Sequence, residues 1–374
     1  MNNQIWIMTS AFDRLTLDEI IVKAQEIGAQ GLDVCVFRKD STRNDFVATH
    51  LDYENFSPDH ASQLIDKFNA AKLQLSLGAF DNLIGGDPAQ RINNQDHLLR
   101  LIRIAYMLGG DANDIKVGTF VGYNHDLGNQ ENGFQKNLDE YARIFEPIIR
   151  YAEDLGVTIL YENCPMEGWR PPGYTGTFNN LSGVLAARKL MYEIIPSKAH
   201  GEIYDPSHDI WQHTDPVDVI LHSDIKRMHR IHVKGTLKRN DVYWGNLYAR
   251  QLVNPELAQR AGVPIAQNEW DRHNYEATLP GFGGSDSVDW RSFVNALKSK
   301  EFRGPFEIEN EAALSKGTGN MGAIVQGFKA SVLSLAPLLW DLAENGYQYN
   351  QQGYHELCKH PVKDIPVVTM AQLT

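Results

Sequence analysis

Short apolar runs alternate with longer amphipathic stretches along the chain. Runs of four to seven residues that are bounded by turn-forming or polar residues are typical of β-strands. The pattern predicts eight strands, at Gln4–Met8, Gly31–Phe37, Leu73–Leu77, Asp114–Val117, Val157–Tyr161, Gly201–Tyr204, Met228–Val233 and Pro305–Ile308.

The stretches between these runs have the periodicity and the end signals of α-helices. Thr16 precedes the first helix and Gly28 follows it, while Ser57 and Pro58 form a cap and a first helical position for the second. The predicted helices are Leu17–Ile27, Ser57–Ala71, Asn94–Leu108, Gln135–Leu155, Leu181–Ile195, Pro216–His222, Asp289–Lys300 and Ala323–Leu342.

Eight strand–helix units in sequence predict an α/β fold, a single (β/α)8 TIM barrel, rather than two domains. We place the barrel in residues 1–345, with a lid-like insertion at 236–284 after the seventh strand and a C-terminal extension at 346–374. The insertion is too long for a plain loop and is rich in aromatic residues, so we expect it to cover the mouth of the barrel. The extension is expected to wrap the barrel or to reach a neighbouring subunit.

The composition of the chain disfavours several classes of protein. The chain has 35 Lys and Arg against 47 Asp and Glu, a net charge of −12, which disfavours binding to a nucleic acid. Three cysteines far apart, without a CxxC pair, are typical of a cytoplasmic protein. No uninterrupted apolar run approaches the ~18 residues of a membrane span, and the first residues lack the basic region of a signal peptide. We therefore expect a cytoplasmic enzyme.

Acidic residues and one histidine lie where the last four predicted strands end. In a (β/α)8 barrel these ends meet at the face that carries the active site. Several carboxylates crowded into a partly dry cavity repel one another, and a divalent cation relieves that repulsion. A carboxylate-rich set with one imidazole favours Mn²⁺ or Mg²⁺, with Co²⁺ and Zn²⁺ as alternatives. The predicted ligands are Glu162, Asp205, His232 and Glu309.

Other residues are candidates for contacts with a substrate. Trp169, in the loop after the fifth strand, and Arg38, near the end of the second, are predicted to bind substrate. The ordinary alternative for Arg38 is a surface salt bridge. Trp6 and Phe80 are aromatic candidates whose ordinary alternative is packing in the core.

At the predicted ligands the sequence resembles the xylose isomerase-like barrel family, which includes sugar isomerases, ketose 3-epimerases, inosose dehydratase and, more distantly, endonuclease IV. The matching pieces are YENCP, DPSH, IHVK, PGFGGSDSVDW and GPFEIENE, in that order, over roughly residues 157–311. The resemblance implies the same four metal ligands and a substrate contact at His208. One departure is Gly235, because many family members have an aspartate after the IHVK motif.

The site and the resemblance together predict a divalent-metal-dependent isomerase or epimerase that acts on a sugar or sugar derivative. Glu162 and Glu309 would abstract and return a proton next to a carbonyl through an enediolate, with His208 on a substrate hydroxyl and Lys234 on the developing charge. The resemblance also implies a homo-oligomer.

Two alternatives use the same region. An inosose-type dehydratase needs the same metal and the same proton abstraction. An abasic-site endonuclease would use Asp271 and His273 for a second metal, but it needs histidines near the ends of earlier strands, where the sequence has none.

Overall fold

The computed structural model describes residues 3–41, 48–239, 241–245, 254–266, 274–283, 286–340, 354–359 and 364–374. Eight parallel strands close into a barrel in which each strand pairs with its neighbours in the chain, and the last strand pairs with the first. In chain order the barrel strands are β1 Ile5–Met8, β2 Gly31–Cys35, β3 Gln74–Gly78, β4 Val117–Thr119, β5 Ile159–Glu162, β6 His200–Tyr204, β7 Met228–Val233 and β10 Phe306–Ile308. Between β7 and β10, the strands β8 Gly235–Lys238 and β9 Tyr275–Thr278 form a separate antiparallel ribbon.

Helices surround the barrel, and local caps explain several of their ends. Thr16 and Glu19 form a capping box at the start of the first helix, and Gly28, at φ 86°, ends it in the left-handed conformation that glycine adopts easily. The described helices are α1 Leu17–Ile27, α2 Pro58–Ala71, α3 Pro88–Met107, α4 His125–Gly128, α5 Gly133–Asp154, α6 Leu185–Ile194, α7 Pro206–Trp211, α8 Pro216–His222, α9 Pro255–Ala261, α10 Trp290–Ser299, α11 Met321–Leu339 and α12 Met370–Leu373.

The predicted single (β/α)8 barrel is confirmed, and each of the eight predicted strands overlaps an observed one. Helix α3 begins at Pro88 rather than at Asn94, because Asp87 caps it by accepting hydrogen bonds from the backbone N–H groups of Ala89 and Gln90. Its first turns are polar, so the apolar pattern did not indicate them. The short helix α7, directly after β6, was not predicted either.

The interior of the barrel is packed closely around a tryptophan. Trp6 is almost fully buried, and a Cβ atom at Gly31 on the adjacent strand would lie 2.5 Å from its ring. Only glycine leaves room for the indole at this position. The core-packing alternative for Trp6 is therefore the one that the structure shows.

Asp286 fastens the ribbon in the insertion to the start of α10. Asp286 accepts hydrogen bonds from the backbone N–H of Thr236 at 3.0 Å and from Trp290 Nε1 at 2.7 Å. A Cβ atom at Gly235 would lie 2.5 Å from Asp286 Oδ2. The glycine that departs from the family pattern is thus explained, since Asp286 fills the space that a side chain at 235 would need.

Parts of the C-terminal extension lie against the chain's own barrel. Asn113, just before β4, and Cys358 form two reciprocal hydrogen bonds of 2.9 Å between the Asn113 amide and the Cys358 backbone. Gln74, the first residue of β3, donates to His355 O at 2.7 Å. Residues 354–359 therefore bind the end of the barrel where strands begin.

One described helix, α11, is long and apolar enough to cross a membrane by length and composition alone. Half of its apolar window is buried inside the molecule, and it packs against α1 and α10. This is the position of a core helix in a barrel. Polar residues are spaced along the helix, so its apolar residues do not form one uninterrupted run.

Candidate active site

Six buried side chains form a closed ring of alternating charge at the carboxyl end of the barrel. They come from the ends of β5, β6, β7 and β10 and from the first turn of α7. None of the six residues is more than 7% exposed. In order around the ring they are Glu162, His232, Glu309, Lys234, Asp205 and His208.

One half of the ring is centred on His232. Its Nδ1 atom lies 3.2 Å from Glu162 Oε1 and 3.7 Å from Glu309 Oε2. Alternation along the strands produces this arrangement, because His232 and Lys234 project to the same side of one strand and Glu307 and Glu309 to the same side of the next.

Lys234 and His208 complete the other half. Lys234 Nζ donates to Glu309 Oε2 at 2.8 Å and lies 3.2 Å from Asp205 Oδ2. His208 Nε2 lies 3.2 Å from both Asp205 Oδ2 and Glu162 Oε1. Every carboxylate of the ring therefore has a cationic or imidazole group on either side.

The backbone around the ring is held by buried amides and hydroxyls. Ser182 Oγ donates to Glu162 O at 2.7 Å. Asn163, next in the chain, accepts from Asp205 N at 2.7 Å and donates to Asp205 O at 3.0 Å. Asp205 also caps α7 by accepting from Ser207 N, and this helix start turns His208 back toward Glu162. These contacts fix the distance between the ends of β5 and β6.

Charge neutralisation within the ring sets the protonation of its members. Burial raises the pKa of Glu162, but hydrogen bonds from His208 and His232 outweigh burial and hold that pKa well below its usual value. Burial lowers the pKa of His232, yet its hydrogen bond to Glu162 and the nearby carboxylate charges raise it to about 10. These two shifts favour an ionised Glu162 beside a protonated His232.

The donor atoms fit a divalent cation. Ligand atoms of Glu162, His232 and Glu309 all lie within 4.8 Å of one another, and so do those of Glu162, Asp205 and His208. Asp205 Oδ2 is buried and accepts no hydrogen bond of good geometry, although His208 Nε2 and Lys234 Nζ each lie 3.2 Å from it. The ring therefore contains all four predicted metal ligands, in two overlapping groups that share Glu162, and their carboxylate oxygens are donors of the kind that Mn²⁺ and Mg²⁺ take.

A second layer of buried charges lies behind His232. Its Nε2 atom faces Glu307 Oε2 at 3.6 Å and Asp33 Oδ2 at 4.0 Å. Arg230 forms an ion pair of 3.2 Å with Glu307. The two-residue spacings of Arg230 to His232 and of Glu307 to Glu309 were visible in the sequence, but Arg230 and Asp33 were not recognised as neighbours of the site.

Aromatic rings extend from the site toward the loop after β5. Trp169 meets Phe120 edge-on at 5.5 Å between ring centroids, Phe120 lies 5.2 Å from Phe80, and Phe80 lies 5.9 Å from His232. We call Trp169, Phe120 and Phe80 the aromatic wall. Trp169 is thereby connected to the ring of charges through Phe120 and Phe80, and its role as a substrate contact stays a prediction.

Arg38 occupies a different environment. Its guanidinium binds Asp40, the Gln90 side chain at 3.0 Å and the Asn94 side chain, which ties the end of β2 to α3. The structure does not bring it into the ring, and its role as a substrate contact stays a prediction. Asp271 and His273 lie outside the described residues.

Sequence reasoning missed Trp211 at the end of α7. Its ring lies 4.6 Å from that of His208 and 5.6 Å from Lys234 Nζ, and it stacks on Tyr275 of the ribbon at 5.9 Å. Trp211 therefore connects the insertion to the site. Its position three residues after His208, on the same short helix, was the available signal.

The sequence of residues 21–329 matches the family model for the xylose isomerase-like TIM barrel. The chain belongs to this family. No curated protein sequence matches the chain significantly.

Several solved structures are similar to this chain in fold. An L-ribulose 3-epimerase is 14% identical, with a TM-score of 0.56 over 90% of this chain and 94% of that one. A D-psicose 3-epimerase from Clostridium cellulolyticum H10 is 12% identical, with a TM-score of 0.56 over 90% of this chain and 100% of that one. The probable 3-DHS dehydratase AsbF from Bacillus anthracis is 15% identical, with a TM-score of 0.54 over 88% of this chain and 98% of that one.

Proposed function

We propose that this family member is a divalent-metal-dependent isomerase or epimerase of a sugar or sugar derivative. The observation that supports this most directly is the placement of two buried carboxylates, Glu162 and Glu309, on either side of His232 Nδ1 at 3.2 and 3.7 Å. Two carboxylates across one centre can serve as base and acid for a carbon acid bound between them.

Glu162, Asp205, His232 and Glu309 would hold the metal. When bound, the ion supplies positive charge that acidifies the C–H bond next to a substrate carbonyl. The same four residues are the ligands that the family resemblance implies, and their donor atoms lie in the two overlapping groups described above.

The chain's own residues supply the proton transfers and the orientation. One carboxylate removes the proton from the carbon beside the carbonyl, which leaves an enediolate. Return of a proton to the opposite face of that carbon gives an epimer, and return to the neighbouring carbon gives an isomer. Lys234 donates to the developing oxyanion, His208 donates to a substrate hydroxyl, and the aromatic wall covers an apolar face of the sugar.

A dehydratase on the same site is the second candidate. The observation in its favour is the position of His208, whose Nε2 lies 3.2 Å from both Glu162 Oε1 and Asp205 Oδ2. A protonated imidazole 3.2 Å from Glu162 could protonate a hydroxyl as it leaves the carbon next to the enediolate. The likeness to a probable dehydratase is in fold alone.

Solvent exchange at carbon tests the proposal. The Mn²⁺-loaded protein is incubated in D₂O with a panel of ketoses, aldoses and inosose, and products are analysed by mass spectrometry. We expect deuterium at a carbon next to the carbonyl of one substrate class, abolished by a chelator and reduced at least ~100-fold in Glu162→Gln. Loss of water with the deuterium would identify the dehydratase.

The control is Glu202→Gln, which removes an equally buried carboxylate that pairs with Arg188 instead of the ring. This variant should exchange deuterium at the wild-type rate. An active Glu162→Gln enzyme, or no exchange and no product across the panel, contradicts the proposed function.

A further inference from the structure

Two carboxylates lie behind the ring, on the side of His232 that faces away from the proposed metal. We call Asp33 and Glu307 the lower carboxylate pair. Both are almost fully buried, and their oxygens lie 4.0 and 3.6 Å from His232 Nε2. Strand β2 is separated from β7 by β1 and β10, so the approach of Asp33 to His232 crosses the interior of the barrel.

An arginine lies beside one member of the lower carboxylate pair. Arg230 Nε lies 3.2 Å from Glu307 Oε1, and Nη2 donates to Asp114 O at 2.8 Å. The guanidinium also lies over the ring of Trp6, 4.8 Å from its centroid. Because Arg230 is fixed from three sides, its charge occupies the place where a second cation beside Glu307 would have to bind, although Asp33, His232 and Glu307 have suitable donor atoms.

The two ring nitrogens of His232 therefore face different groups. Nδ1 faces Glu162 and Glu309, which are proposed metal ligands, and Nε2 faces the lower carboxylate pair. An imidazole that ligates a metal through Nδ1 keeps its one proton on Nε2. Carboxyl oxygens accept hydrogen bonds, and Nε2 faces those of Glu307 at 3.6 Å and Asp33 at 4.0 Å, so the lower carboxylate pair favours the tautomer with the proton on Nε2.

We propose that Glu307, assisted by Asp33, is a positioning residue that keeps the His232 proton on Nε2 and so presents Nδ1 to the metal. The inference rests on the metal site of the proposed function and deepens it. Glu307 touches neither the substrate nor the metal; it acts through His232.

The test measures Mn²⁺ affinity of the metal-stripped protein by competition with a chelator. We expect Glu307→Gln to weaken binding about 10- to 100-fold, the range for partners of metal-bound histidines, and Asp33→Asn to weaken it in the same direction by less. Glu202→Gln is the matched control, because Glu202 pairs with Arg188 at the same 3.2 Å and is as buried as Glu307. Its affinity should equal that of the wild type.

A second readout reports the tautomer itself. In Zn²⁺-loaded protein with ¹⁵N-labelled histidine, long-range ¹H–¹⁵N spectra should show His232 protonated on Nε2 in the wild type, with that signal lost or shifted in Asp33→Asn. This measurement decides the question if Glu307→Gln does not fold.

Three results would overturn the positioning role. They are a Glu307→Gln affinity within twofold of the wild type, a proton on Nδ1 of the metal-loaded protein, and two metal ions bound per chain with one lost on removing the lower carboxylate pair. Absence of metal binding by the unchanged protein would instead overturn the proposed function, and this inference with it.

Discussion

Lys234 lies where three carboxylates meet. Its Nζ is 2.8 Å from Glu309, 3.1 Å from Glu311 and 3.2 Å from Asp205. Burial lowers the pKa of this lysine, but the charges of Glu309, Glu311 and Asp205 outweigh burial and raise it well above its usual value. The ammonium is therefore held in one place and stays protonated at neutral pH, as a donor to an oxyanion must.

Replacing Lys234 should change the catalytic rate without weakening metal binding. Lys234→Met should lower kcat about 10²- to 10³-fold, the usual loss for one oxyanion donor. Metal affinity should be kept or raised, because a cation that competes for Asp205 and Glu309 is gone. Steady-state kinetics on the substrate found by deuterium exchange, with a Mn²⁺ titration, measures both.

The matched control for this lysine lies at the other end of the barrel. Lys116 is also buried and pairs with two carboxylates, Asp111 and Asp114. Lys116→Met should lower the free energy of unfolding and leave kcat unchanged. A Lys234→Met enzyme with wild-type kcat would contradict the role given to Lys234.

The site residues that the sequence could predict are those whose position follows from the order of the strands alone. Glu162, Asp205, His232 and Glu309 each lie at a strand end, and parallel strands of a barrel bring those ends to one face. Asp33 and Arg230 could not be foreseen, since their contacts depend on which side chains cross the barrel interior at one level. That level is set by the strand register, which apolar runs do not specify.

At the scale of elements, Asn163 joins the ends of β5 and β6. Its amide makes both hydrogen bonds of a reciprocal pair with the backbone of Asp205, at 2.7 and 3.0 Å. The contact fixes Asp205 in a position where it both caps α7 and faces the ring.

Removing this contact should affect the stability and the site together. Asn163→Ala leaves the backbone N–H and C=O of Asp205 buried without these partners, so we expect a loss of about 1–3 kcal/mol in the free energy of unfolding and weaker Mn²⁺ binding. Urea unfolding and a metal titration measure the two effects.

The comparison is Asn113→Ala, which breaks a reciprocal pair of the same kind with Cys358. It should lose comparable stability and keep its metal affinity. Equal metal affinity in both variants would show that Asn163 does not position Asp205.

Elements were predictable where pattern and boundary signals agreed. Helix α1 was predicted with its observed ends because Thr16 and Gly28 mark both. The ribbon of β8 and β9 was not predicted as strands. Its partners are far apart in the chain, with a helix between them, and β9 is only partly buried, so neither local turn signals nor an apolar run indicated the pairing.

At the scale of the whole molecule, three histidines outside the ring make stability depend on pH. Burial lowers the pKa of His97, His200 and His229 to about 4 each. His97 Nε2 lies 2.6 Å from Val36 O and His200 Nε2 lies 2.7 Å from Ile195 O, so each buried ring already has a partner in its neutral form.

The sign of the effect follows from proton binding. Between about pH 6.5 and 4 these histidines bind protons in the unfolded chain but not in the folded one. Their contribution to the free energy of unfolding is therefore full above pH 6.5 and is lost as the pH falls toward 4. Each histidine contributes up to about 1.4 kcal/mol per pH unit in that window. Urea unfolding at pH steps should show a shallower slope for His97→Gln than for the wild type. An unchanged slope would contradict the burial of a neutral His97.

The bonds from Gln74 and Asn113 to residues 354–359 lie where strands begin, while the ring lies where strands end. In barrels of this type, the face where strands begin serves stability and the opposite face serves chemistry. Substitutions in residues 354–359 can therefore change thermal stability without changing the reaction. For directed evolution, stability and activity can therefore be changed at two separate faces of the barrel, and a substitution that raises one need not lower the other.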